Sequence, residues 1–93
     1  MNWEWDETKN QANQKKHGID FRSAAKIFAG EVFSWPDDRF YYGEERFIGM
    51  GLLGNMVVVM VYTEDEATET IRILSIRRAK KHEAKRYYQN FFK

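Results

Sequence analysis

Residues 56–62 read MVVVMVY, seven apolar or aromatic side chains in succession. The run is far shorter than the ~20 residues a membrane helix needs. Gly54-Asn55 precedes it and the acidic stretch EDEATE follows it at residues 64–69. Between such boundaries a valine-rich segment reads as a strand. Strand side chains alternate between two faces, so a strand that is apolar at every position must be covered on both sides. That requirement constrains the fold: the strand belongs in the middle of a sheet, with something packed above it and something below.

The flanking sequence supplies those pieces. Trp3 and Trp5 alternate with Glu4 as a short strand or a packed arm would. Asp6 is a candidate N-cap for a helix through ETKNQANQKK that Gly18 ends, with Lys15, Lys16 and His17 in its last turn. Asp20 caps a second helix, where Phe21, Ala24, Ala25 and Phe28 keep the spacing of one buried face up to Gly30. Val32, Phe33 and Trp35 predict a short strand ended by the turn Pro36-Asp37-Asp38. Arg46–Leu52 and residues 70–77 predict two more strands, with Gly54-Asn55 as a hairpin turn. Ala84, Tyr87, Tyr88 and Phe91 place an aromatic stripe on a final helix. The expected fold class is α+β, one domain over residues 1–93: two N-terminal helices, an antiparallel meander of three to four strands, and a C-terminal helix.

Charge is unevenly spread. Residues 71–93 carry eight basic side chains against Glu83 alone, a net +7, so the other 70 residues carry −6. Such asymmetry predicts a polyanionic partner for the basic end, or a solvated basic helix face. There is no cysteine, which excludes a disulfide, a thiolate nucleophile and a cysteine zinc site. His17 and His82 are the only histidines, too few for a histidine-rich metal centre. A carboxylate magnesium site could be built from Asp37, Asp38, Glu44 and Glu45, but these follow a turn and read as solvated. The N-terminal MNWEWDE lacks the basic and apolar regions of a secretory signal. The expectation is a cytoplasmic protein without membrane, metal or cofactor.

Several blocks in order resemble the BrnT family of bacterial type II toxins. They are W5-D6-E7 with Lys9 and Asn13, K16-H17-G18-I19-D20-F21, G43-E44-E45-R46-F47 with Gly51, V58-V59 to Y62-T63-E64, and R72-I73-L74-S75 with R77-R78-A79, Glu83 and Tyr87 or Tyr88. The resemblance implies the fold of RelE-type ribonucleases and metal-free RNA cleavage that halts translation. It also implies neutralisation by a BrnA-like ribbon-helix-helix antitoxin, with operator DNA bound only through that complex. Asp65 stands where family members often carry an arginine after the YTE block.

Metal-free RNA cleavage needs a proton acceptor for the 2′-hydroxyl, a proton donor for the leaving oxygen, and fixed positive charge at the phosphorane. Arg72 and Arg77 are the leading catalytic candidates, because guanidinium forks match phosphate oxygens. His17 is a candidate acid or base, or a cap for its helix. Glu83 is a candidate base, or an ion-pair partner within its helix. Lys16, Arg46, Arg78, Lys80, Lys81 and Lys85 are RNA-binding candidates, each also readable as an ordinary surface charge. On a regular strand Arg72 shares a face with Leu74, Ile76 and Arg78, and Arg77 shares the other with Ile71, Ile73 and Ser75. Only a bulge, or the turn near Arg78, would bring them together. A non-catalytic RNA- or partner-binding module is the alternative reading.

Overall fold

The computed structural model describes residues 1–39 and 43–91. Its strands are β1 (Asn2–Glu4), β2 (Phe33–Pro36), β3 (Phe47–Leu53), β4 (Met56–Asp65) and β5 (Thr70–Arg78). Its helices are α1 (Glu7–His17), α2 (Ala24–Phe28) after a 3-10 turn at Phe21–Ser23, and α3 (Lys81–Phe91). The sheet order is β1-β5-β4-β3-β2, which puts the valine-rich strand at the centre as its sequence requires. The class is α+β, but the sheet departs from a three- or four-stranded meander. β1 pairs parallel to β5, making five strands among the described residues and a mixed sheet. Among the described residues no helix is long and apolar enough to cross a membrane.

Two cores form, one on each face. On the back face, Val58, Met60, Tyr62, Ile71, Ile73 and Ile76 pack with Phe21, Ala24 and Ile27. On the front face, Ile48, Met50, Val57 and Val59 pack under Tyr87, joined by Ala84 and Phe91 of α3. Burying each such side chain contributes roughly 1.5–3 kcal/mol. Gly51 lets α2 approach the back face closely, since a Cβ there would stand 2.6 Å from Ile27 Cγ2.

Helix α1 is attached differently, because Ala12 is its only apolar residue. Asp6 caps it by accepting from Thr8 N at 2.9 Å and Lys9 N at 3.2 Å. Two buried asparagines then hold it. Asn13 Nδ2 donates to the Ile76 carbonyl at 2.8 Å, and Ile76 N–H donates to Asn13 Oδ1 at 3.2 Å. The amide thus satisfies the edge of β5 where β1 has already ended, as a neighbouring strand would. Asn10 Oδ1 accepts from Phe21 N at 2.8 Å and fixes the 3-10 turn.

One irregularity decides where the arginines point. Val61 pairs with Ser75 but Tyr62 pairs with Ile73, so Leu74 is an extra residue, a β-bulge in β5. Directly paired residues share a face. Arg72 therefore lies with Thr63, Ser75 with Val61, and Arg77 with Val59, all on the front. Arg78, paired with Val58, lies on the back.

Candidate functional site

Helix α3 covers only part of the front face. Val61, Thr63, Ser75, Arg72 and Arg77 remain half-buried, and they form one continuous strip across β4 and β5. Arg72 and Arg77 stand at its two ends, four residues of β4 apart, or about 13 Å at ~3.3 Å per residue. Ser75 lies between them, and Thr63 stands beside Arg72 as its cross-strand partner. Arg46 precedes Phe47, which faces back, so alternation turns Arg46 to the front beside this strip. Its Nε lies 3.5 Å from Glu44 Oε1.

Arg77 is the most firmly placed of the group. Its Nη1 and Nη2 donate to Glu83 Oε1 and Oε2, both at 2.8 Å. Glu83 Oε1 also accepts from Lys80 N at 2.8 Å, the returning half of a capping box at the start of α3. The Arg77 fork, followed by that backbone N–H, holds the Glu83 carboxyl down to about 2 against the opposing effect of burial. Glu83 in turn raises the Arg77 pKa. A carboxylate this acidic is a weak proton acceptor at neutral pH. Its contacts make it the group that aims Arg77 and caps α3.

Arg72 is held loosely, with Nη1 3.5 Å from Glu4 Oε2 on the edge strand. It also borders a hollow of about 700 Å³ whose carboxylates are Glu4, Glu44, Glu45, Glu64, Asp65 and Glu66. Positive charge is therefore offset beyond Arg72 and accumulates toward the other end of β5. Asp65 ends β4 and caps the following turn, accepting from Ala67 N at 3.0 Å and Thr68 N at 3.4 Å.

The remaining candidates lie elsewhere. Lys16 is exposed and His17 half-buried at the end of α1, beside the β5 edge. Among the described residues no contact joins His17 to Arg72, Arg77 or Glu83. Arg78 is exposed beyond the back face; Lys80, just before α3, and Lys81 and Lys85 on its first turns are exposed. Arg86 stacks its guanidinium over Phe33 and Trp35, 5.2 and 4.9 Å from the ring centroids. Tyr87 is fully buried and donates to the Glu31 carbonyl at 2.8 Å, whereas Tyr88 is exposed. Phe92 lies outside the described residues.

The expectation that Asp37 is solvated is overturned. Its side chain is buried, and its two oxygens accept from Arg39 Nε at 2.8 Å and Nη2 at 2.9 Å. The sequence offered Asp37 only as a possible magnesium ligand, and Arg39 not at all. The available signal was the alternation Phe33, Trp35, Asp37, Arg39, which continues the front-facing set of β2 past its proline.

Comparison with known proteins bears on this arrangement. Residues 5–83 match the family described as the ribonuclease toxin, BrnT, of type II toxin-antitoxin systems. The chain belongs to that family. Among solved structures, the 1.1 Å crystal structure of the Brucella abortus ribonuclease toxin, BrnT, is similar, with a TM-score of 0.70 at 25% identity. That match covers 87% of this chain and 99% of the other. A search of curated proteins gave no match. BrnT membership makes the front strip a candidate ribonuclease site, and the type II system implies an antitoxin partner and an RNA target.

Proposed function

We propose that this BrnT-family chain cuts RNA without a metal ion, using the front strip as its active surface. The observation that carries the reading is the bulge at Leu74, which puts Arg72 and Arg77 on one face with Ser75 between them and Thr63 beside Arg72. Guanidinium charge fixed before the reaction can stabilise a phosphorane dianion as an oxyanion hole stabilises a tetrahedral intermediate. Arg77, aimed by Glu83, supplies the fixed charge; Arg72 and Arg46 close the far side. Lys80, Lys81 and Lys85 extend the positive surface along α3, and Lys16 and Arg78 add charge beside the β5 edge. His17 supplies a proton only if RNA reaches past that edge. Cleavage of cytoplasmic RNA would halt translation, as for RelE-type enzymes. A BrnA-like ribbon-helix-helix antitoxin would neutralise the toxin and carry the complex to operator DNA.

The test is purified protein with bulk RNA in EDTA. Cleavage should persist with chelator and fall on the order of 10²–10³-fold in Arg72→Ala and Arg77→Ala, the cost of losing one preorganised donor. Full activity in both variants refutes the arginine mechanism. One observation favours a non-catalytic RNA-binding module: Glu83, the lone acid in the basic segment 71–93, is committed to Arg77 and the helix cap. On that reading RNA is retarded on a gel yet stays intact.

A further inference from the structure

The ladder between β2 and β3 continues one residue past Pro36. Asp37 N–H donates to the Arg46 carbonyl at 2.7 Å. Phe33 and Trp35 pack into the front core, so alternation turns Asp37 to the front as well. A carboxylate buried there costs several kcal/mol unless it is paired with good geometry. Arg39 provides that geometry: Nε and Nη2 make a two-bond fork, and Arg39 N donates to Asp37 Oδ1 at 3.3 Å. Yet the arginine side chain remains 59% exposed while that of Asp37 is 0% exposed. The anchor is inside and the charge faces outward. This is the same construction as Arg77 on Glu83, repeated across the same face.

We propose that Arg39, aimed by Asp37, is a further RNA phosphate-contacting residue on the front face. The proposal rests on the ribonuclease reading above. A planar fork already fixed by one carboxylate loses little freedom when it binds a second anion. Arg39 and Arg77 are close enough that the charge of Arg39 opposes the rise in the Arg77 pKa. Two like charges held within range of each other are relieved by an anion placed between them. Asp37 is a positioning residue and does not touch the RNA.

The experiment measures binding of a short single-stranded RNA oligonucleotide across a salt series, together with cleavage of bulk RNA. Arg39→Ala should weaken binding on the order of tenfold. It should also reduce the slope of log affinity against log salt by about 0.7, the loss of one phosphate contact on a single strand. Arg39→Lys keeps the charge and should restore the slope. Because Arg39→Ala removes the fork from a buried carboxylate, Asp37→Asn/Arg39→Ala is measured beside it, with circular dichroism to verify folding. A folded double variant with the salt slope and affinity of the parent protein overturns the proposal, leaving the ribonuclease reading intact if the parent cuts RNA. A parent protein that neither binds nor cuts RNA overturns both.

Discussion

Glu83 accepts two guanidinium bonds and a backbone bond, and titration should reveal that load. Its folded pKa, about 2, lies below the ordinary value of 4.5, so the pairing contributes stability above pH 4.5. That contribution is lost as pH falls from 4.5 toward 2. In denaturant unfolding at stepped pH, Glu83→Gln should reduce neutral-pH stability and flatten the profile over this window relative to the parent protein. Identical profiles would show that the pair contributes nothing. The kinds of residue at the site were legible in the sequence: Arg72, Arg77 and Glu83 stand out as types. Their arrangement was not, because a bulge depends on how β5 pairs with β4 and leaves no mark in β5 itself. Asp37 was hidden for a related reason. Pro36 is a strong turn signal, yet at a strand end its missing N–H costs no ladder bond and the alternation runs on.

The elements whose side chains follow a simple period were the ones the sequence located. β4 announces itself by valines, and α3 by Ala84, Tyr87 and Phe91. β1 is only three residues long, and its parallel pairing is set by distant β5, so it could be read only as a strand or an arm. Helix α1 lacks an apolar stripe; its caps were visible, but the amide bonds from Asn10 and Asn13 join positions up to 63 apart. Close packing between elements makes a separate test. Gly51→Ala would push a methyl group into Ile27 of α2. Overpacking of this kind costs about 1–3 kcal/mol, and a domain of this size loses roughly 4–8 °C in Tm per kcal/mol. Thermal denaturation should show a loss in that range, and an unchanged Tm would mean that α2 is free to shift.

Across the whole molecule, β5 links two ends of opposite sign. Its first residue follows the acidic turn of residues 64–69, and its last precedes Lys80 and Lys81. The nine residues of β5 hold these ends about 26 Å apart at ~3.3 Å per residue, in a molecule whose longest extent is 34 Å. The charge asymmetry of the sequence thus becomes a separation in space. Reversal of Lys80 and Lys81 to glutamate should weaken RNA binding and its salt dependence. Glu66→Gln, at the opposite end, should do neither, and filter binding at several salt concentrations separates the two outcomes. A body charged oppositely at its two ends is a dipole, and the field of a nearby polyanion exerts a torque on it before they touch. Rotation toward alignment is then under way during the approach, and many encounters begin with the lysine-bearing pole already foremost.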